Sequence, residues 1–383
     1  MKICYFTQED KITPGASRSL IDLLTVIKNE ENIQPIVILP KHGEMEKKLS
    51  EMNIEYLIIP TYSTSISLYD KSISKHIKYI LKRMINYISI RKIIKNLRKR
   101  KVDIIHINKI TGTVGAEVAL KLGIPYIFHI REFLEEDHKR KFYDKKRSYN
   151  LLRKSSSIVA ISGAIKNKYE SILNRKIDLI YNGIPIEKYI IKISNRFNNS
   201  CTNILLTGRI SEGKGQLEAI QALNNLCKKL PNNQFKLFLV GDIGDEQYYE
   251  KIQKYIKENR LETTVEYVPF TNDLRAIRSK CDIGILCSQK EAFGRVTIET
   301  MLSSMLFIGT NSGGTKELVS NQKTGLLYEP GDYIDLRDKI VYALTHKEEM
   351  NTIIKNARDF AVNNYSINNT ANNVLMLYKR LIN

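Results

Sequence analysis

The sequence predicts an α/β protein built of two doubly wound, mostly parallel sheets. Three observations carry that prediction. Short apolar runs of strand length alternate with segments of helical length from the N-terminus onward. A polar, asparagine-rich stretch without periodicity, residues 194–202, interrupts them near the middle of the chain. Beyond it the same alternation begins again. The 383 residues suffice for two domains of ordinary size.

In order, residues 2–7 read as a strand, 17–28 as a helix, 34–39 as a strand, 44–52 as a helix and 54–59 as a strand. A basic helical region comes next, then strands over 103–107, 126–129 and 157–161. The second half gives strands over 203–207, 236–240 and 265–268, with helices over 216–230 and 246–259 between them. The expected organisation is a first Rossmann-like domain over 1–193, a linker over 194–202 and a second Rossmann-like domain over 203–362. No internal repeat is visible.

Composition narrows the function classes. Lys and Arg number 60 against 41 Asp and Glu, for a net charge of +19. Aromatic and β-branched residues are plentiful enough to exclude a disordered chain. The five cysteines, Cys4, Cys201, Cys227, Cys281 and Cys287, form no CxxC pair and are odd in number, which points to a reducing cytosol without disulfides or a zinc site. The first apolar run is too short for a secretory signal, and no stretch reaches the ~20 apolar residues that span a bilayer. A soluble or peripheral protein is expected, with a cytoplasmic location. No GxGxxG follows the first strand, which argues against a dehydrogenase.

The most informative segment begins at residues 282–288, which read as a short buried strand. Glu291-Ala292-Phe293-Gly294-Arg295-Val296-Thr297-Ile298-Glu299 follows, with Ile298, Met301, Leu302 and Met305 at helical spacing. Glu291 thus lies in a strand-to-helix loop and Glu299 about one turn inside the helix. Gly294 lets the backbone approach a ligand closely, and the amides of the helix start suit a phosphate. Carboxylates beside them suit sugar hydroxyls, so the combination points to a sugar nucleotide.

These residues resemble the Glu-x7-Glu element of the retaining glycosyltransferases of family 4 (glycosyl transferases group 1), which have the two-domain GT-B fold. Three further segments fit in the family's order. Gly208-Arg209-Ile210-Ser211-Glu212-Gly213-Lys214-Gly215 resembles its Gly-Arg…Lys-Gly loop. Tyr181-Asn182-Gly183-Ile184-Pro185 resembles the end of its first domain. Gly313-Gly314-Thr315-Lys316-Glu317, with Thr324-Gly325-Leu326-Leu327-Tyr328, resembles its closing signature. The resemblance implies two Rossmann-like domains facing a central cleft, with the last helix, within 363–383, packing back on the first. It implies that Glu299 accepts hydrogen bonds from the nucleotide ribose and that Glu291 sits near the donor-sugar hydroxyls. Phe293, Gly294, Arg295 and Val296, with Gly208, would line the sugar and phosphates. Arg209 and Lys214 would stabilise the departing nucleoside diphosphate, Arg as a bidentate clamp and Lys as a point charge. The alternative for both pairs is a solvated charged loop and a glutamate favoured by the helix dipole.

No Asp-x-Asp stands at a strand end, and the acidic run Glu135-Glu136-Asp137 reads as a solvated helix face, so no metal and no cofactor is expected beyond the nucleoside-diphosphate sugar itself. In the first domain, His129, Arg131 and Glu132 end a strand, with His129 and Arg131 on one side. Many relatives have a histidine where Arg131 stands, contacting the donor sugar; some capsule-type relatives share the His-x-Arg-Glu pattern. The alternative is a structural histidine beside a salt bridge. Pro14-Gly15-Ala16-Ser17-Arg18 follows the first strand, where the family's glycine-rich loop approaches the transferred sugar; one glycine, Gly15, stands for the usual pair. Pro269 occupies a position near the base where relatives often have glycine, and it removes an amide donor. The base stays open.

From Lys71 to Lys101 there is no acidic residue. Lys75, Lys78, Lys82, Arg83, Arg91, Lys92 and Lys95 interleave with Ile77, Ile80, Leu81, Met84, Ile88, Ile94 and Leu97, as in an amphipathic basic helix broken near Ser89. It suits an anionic membrane surface or a core-packed helix with a solvated basic face; no nucleic-acid module accompanies the charge. The expected function is transfer of a sugar from a nucleoside-diphosphate sugar to an acceptor hydroxyl. The expected acceptor is a polyprenyl-linked saccharide, at the inner face of a bacterial membrane during capsule or exopolysaccharide synthesis. The alternatives are a non-catalytic GT-B partner subunit and a phosphorylase or epimerase on the same fold. The presence of Arg209, Lys214, Glu291 and Glu299 argues against the first, and the Glu-x7-Glu and Arg…Lys elements against an epimerase.

Overall fold

The computed structural model describes residues 1–12, 15–69, 73–136, 139–193, 195–271 and 273–382; Pro14, Lys71, Asp137 and Ser194, which figure in the sequence readings, lie outside them. The chain divides into two compact units, Met1–Ile184 with Ile367–Asn383, and Pro185–Ser366.

The strands of the first unit are β1 (Lys2–Phe6), β2 (Gln34–Leu39), β3 (Glu55–Ile58), β4 (Ser65–Ser67), β5 (Ile104–Ile107), β6 (Tyr126–Ile130), β7 (Arg140–Phe142), β8 (Ser157–Ala160) and β9 (Asp178–Leu179). Its helices before Ile184 are α1 (Gly15–Ile27), α2 (Glu44–Glu51), α3 (Ile73–Arg100), α4 (Thr113–Leu122), α5 (Lys145–Lys154) and α6 (Gly163–Leu173). Seven strands form one sheet in the order β3-β2-β1-β5-β6-β8-β9, with every pairing parallel. Ile3, Cys4, Tyr5 and Phe6 are all buried, as in a strand covered on both faces. β4 and β7 form a separate antiparallel pair.

The second unit holds β10 (Cys201–Thr207), β11 (Gln234–Val240), β12 (Val265–Val268), β13 (Ile283–Leu286), β14 (Leu306–Thr310) and β15 (Leu326–Tyr328). They form one parallel sheet ordered β12-β11-β10-β13-β14-β15. Its helices are α7 (Ile186–Tyr189), α8 (Gln216–Lys229), α9 (Glu246–Glu258), α10 (Arg275–Lys280), α11 (Arg295–Leu302), α12 (Thr315–Leu318), α13 (Tyr333–Thr345) and α14 (Lys347–Asn364). The last helix, α15 (Ile367–Ile382), returns to the first unit, where Ala371, Val374, Leu377 and Tyr378 join Ile3, Tyr5, Leu20 and Leu24 in one core. Two parallel α/β sheets of Rossmann-like order are therefore present, as the sequence predicts.

Three readings are corrected. Of the stretch read as a linker, the described residues 195–202 are not free. The Arg196 guanidinium is buried and donates to the carbonyls of Ser279, Ser303 and Ser304 at 2.7–2.8 Å, capping the C-terminal ends of α10 and α11. Phe197 is buried in the second unit's core, and Cys201 and Thr202 already belong to β10. The division of the chain falls instead at Ile184 and Pro185. Second, α3 runs unbroken through Ser89, whose hydroxyl donates to the Pro60 carbonyl (2.6 Å) rather than breaking the helix. Third, Glu135 and Glu136 stand in a turn, not on a helix face, and both face Lys168.

Candidate active site

In an open parallel sheet, ligands bind beyond the strand C-termini at the point where strand order reverses. In the second unit that point lies between β10 and β13. The loops that follow these strands carry Gly208–Lys214 and Glu291–Gly294. Gly215 has a left-handed φ of +69°, and a Cβ there would stand 2.3 Å from the Cys287 carbonyl oxygen. This close approach sets the Lys214 ammonium 2.7 Å from the Glu291 carboxylate. Gln216, wholly buried, fixes the same loop by donating to the Arg209 carbonyl at 3.0 Å. The Arg209 side chain is exposed and runs over Gly244, where a Cβ would overlap it.

Gly294 caps α11 with φ +93°, a conformation that glycine adopts without strain. The turn it makes leads from Glu291 into the helix, whose first amides have no intrahelical acceptor. The Gly314 amide donates to the Glu291 carbonyl at 2.8 Å, so the closing glycine pair buttresses the Glu291 loop. Phe293 is buried and meets Tyr365 edge-on at 6.2 Å. Val296, in the first turn of α11, is half-buried. Glu299 is 4% exposed and pairs through Oε2 with the buried Arg278, while Arg295 Nε lies 4.0 Å from Oε1. The Arg278 guanidinium sits 5.1 Å from the Tyr189 ring centre.

The first unit's switch point lies between β1 and β5. Arg131, just past β6, is 6% exposed. It donates from Nε to Asn108 Oδ1 (2.7 Å), from Nη1 to Asn182 Oδ1 and from Nη2 to His129 Nδ1 (3.2 Å). Asn108 in turn donates to the Ala16 carbonyl at 3.0 Å, which ties Arg131 to the start of α1 next to Gly15. His129 and His106 are wholly buried, and burial together with the Arg131 cation holds both well below the usual histidine range. Glu132 points to Lys109, 3.7 Å away, on the other side of the chain from Arg131's partners.

Comparison with known proteins agrees with this geometry. Residues 188–360 match the family model of Glycosyl transferases group 1, and residues 32–188 that of Glycosyltransferase Family 4. Together the two glycosyltransferase models cover residues 32–360, and the fold is GT-B. An uncharacterized glycosyltransferase of Methanocaldococcus jannaschii is 28% identical over 256 residues, 65% of this chain and 67% of that protein. The capsular polysaccharide biosynthesis glycosyltransferase CapM of Staphylococcus aureus is 25% identical over 226 residues, 55% of this chain and 58% of CapM. The matches thus span 58–67% of these relatives' lengths. HepE of Anabaena, solved in complex with UDP, superposes with a TM-score of 0.83 at 23% identity over the whole of both chains.

For this GT-B chain, the structure brings Lys214 to Glu291 and Arg295 to Glu299 in the second unit, and His129 to Arg131 in the first. Sequence reasoning missed Arg278, Gln216, Asn108 and His106. Arg278 and His106 belong to no quoted motif and become visible only when strand order places them. Asn108 had a usable signal, since it directly follows the strand expected over 103–107.

Proposed function

We propose that this chain moves a sugar from a nucleoside-diphosphate sugar to an acceptor hydroxyl, with retention of anomeric configuration and without a metal. One observation carries the reading: a lysine and a glutamate 2.7 Å apart at the second unit's switch point, beside the glycine-capped start of α11. An ammonium, an arginine and helix amides around one spot suit a diphosphate, whose negative charge grows as the glycosidic bond breaks. Lys214 and Arg209 would take up that charge, and Glu291, released from Lys214, would accept from the sugar hydroxyls. Glu299, paired with Arg278 and faced by Arg295, would accept from the ribose hydroxyls. No side chain at either switch point is assigned as a covalent nucleophile; attack from the leaving-group face, with a donor phosphate oxygen taking the acceptor's proton, fits the residues present. HepE's complex with UDP supports a nucleoside diphosphate as the ligand class.

The acceptor reading rests on α3. Ile77, Ile80, Leu81, Met84 and Ile88 are 53–68% exposed and share one face, while Lys78, Lys82, Arg83, Arg91, Lys92 and Lys95 are exposed around it. An apolar stripe within basic residues suits an anionic bilayer, at ~1 kcal/mol per basic residue near the surface. No helix among the described residues is long and apolar enough to cross a membrane. A lipid-linked saccharide at the inner membrane face, in capsule or exopolysaccharide assembly, fits that surface and the likeness to CapM.

The deciding experiment is a thermal-shift panel of UDP, GDP, ADP, dTDP and their common sugars in EDTA, followed by product analysis with the responding sugar. A rise with one nucleotide supports the donor site and names the base. No rise with any of them sinks it. A rise that appears only when a divalent cation replaces EDTA keeps the nucleotide and discards metal independence.

A further inference from the structure

The loop after β11 carries two glycines, Gly241 and Gly244, that differ in what requires them. At Gly241 a Cβ would collide with the Gly208 carbonyl, backbone against backbone, so that position belongs to the fold. At Gly244 the backbone makes no such demand, since its φ lies outside the left-handed region. The three atoms nearest a Cβ there all belong to one side chain, that of Arg209. The Cβ would overlap Arg209 Cδ and stand 2.5 Å from its Cγ and 3.0 Å from its Nε. The stem of the arginine therefore lies in the space that the missing side chain leaves.

The platform under that stem is fixed. The Gly208 amide donates to the Val240 carbonyl (2.9 Å), the Ile210 amide to the Asp242 carbonyl (2.8 Å) and the Gly244 amide back to the Ile210 carbonyl (3.0 Å). With the parallel bridge between Ile210 and Ile243, these bonds carry the pairing of β10 and β11 past the ends of both strands. Asp245 then caps α9, accepting from the Tyr248 amide at 3.1 Å, and Tyr248 Oη accepts from the Leu217 amide at 2.9 Å. The guanidinium has no comparable anchor. Asp242, Asp245 and Glu246 are exposed in the same loop. Among the described residues the hydrogen bonds of Arg209 nevertheless run through its carbonyl, which accepts from Gln216 and Ser211, and no carboxylate pairs with its guanidinium. A guanidinium meets phosphate as a planar fork, so its direction matters as much as its charge.

We propose that Gly244 is a positioning residue for Arg209. The groove left by its missing side chain, rather than an ion pair, aims the guanidinium at the diphosphate of the bound donor. The ligand rests on the transferase reading; the packing of Arg209 on Gly244 does not. Gly244 acts on the leaving group only through Arg209.

Gly244→Ala should leave the urea midpoint unchanged, because only an exposed side chain has to move. With the responding nucleotide sugar, kcat should fall about 10- to 100-fold, the order expected when a charge-stabilising group is displaced by about 1 Å. The acceptor KM should change by less than about 2-fold. In the Arg209→Ala background the same change should alter kcat by less than about 2-fold, because the group it moves is gone. Equal losses in both backgrounds, a lowered urea midpoint or a failure to fold would make Gly244 a structural glycine and overturn the proposal. An unchanged kcat overturns it too.

A second readout needs no substrate. In the chain labelled with 15N-arginine, the Arg209 Nε–H, assigned by Arg209→Ala, should be more ordered than that of the exposed Arg98. Gly244→Ala should abolish that difference. An Arg209 as mobile as Arg98 in the unsubstituted chain overturns the proposal whatever the activity. If Arg209 is ordered as stated but no nucleotide sugar is turned over, the diphosphate assignment falls with the transferase reading, and the aiming of Arg209 by Gly244 stands.

Discussion

The two switch points of this chain hold their charges in opposite ways. In the second unit the Lys214–Glu291 pair is partly exposed: its side chains are 36% and 18% accessible, so water can replace either partner. In the first, one cation is anchored by neutral acceptors, Asn108, Asn182 and His129, with almost no solvent access. The second arrangement suits a site that must exchange ion pairs with an incoming phosphate. The first suits a fixed wall. Exposed pairs contribute little to stability, whereas buried charges are costly to disturb, so the contrast shows where substitution should cost activity and where it should cost fold.

The largest effect is expected where the second unit departs from its own pattern, at the buried pair Arg278–Glu299. Arg278→Ala strands a carboxylate in the core and should destabilise the second unit by about 3–5 kcal/mol, read by urea unfolding. A loss under about 1 kcal/mol would mean that water reaches Glu299 and that this pair belongs with the exposed ones. Lys214→Ala comes next. Turnover should fall about 100- to 1,000-fold, while unfolding free energy changes by no more than about 1 kcal/mol. A matched loss of stability would erase the distinction drawn between the two switch points.

The smallest effect is on pH. Burial, with the Arg131 cation nearby, holds native His106 and His129 well below the usual histidine range near pH 6.5. Just below pH 6.5 the unfolded chain therefore binds protons that the folded chain does not, and stability falls as pH drops. The slope is at most about 1.4 kcal/mol per histidine per pH unit, and the loss ends where the native histidines themselves titrate. Above pH 7 the contribution is fully present. Hydrogen-exchange protection, corrected for intrinsic rates, should weaken between pH 7 and 5.5 in β5 and β6 more than in β10 and β13. Uniform weakening would place the acid sensitivity elsewhere.

The sheets were legible because parallel strands covered on both faces read as short apolar runs, and 34–39 and 265–268 match their observed bounds. The Glu291–Glu299 segment was legible because glycine, charge and helical spacing occur together within nine residues. Partners that meet only through the fold were not. Arg278 reaches Glu299 from the preceding helix, and His106 meets Tyr378 across 272 residues, with no local pattern to mark either. The 194–202 reading failed for a related reason. Asparagine-rich composition reports a lack of periodicity, but it cannot show that an arginine within the stretch closes two helix ends.

The return of α15 has a bearing on how the chain is made. The first unit is encoded in two pieces separated by the whole of the second, and Tyr378 fills a place in the core laid down by Tyr5 and Leu20. During synthesis, β1 to β9 therefore emerge with one flank of their apolar surface uncovered. They stay so until residues 367–382 leave the ribosome. The second unit, continuous from Pro185 to Ser366, has its full complement of residues earlier. The N-terminal half of this chain is thus the last to be finished.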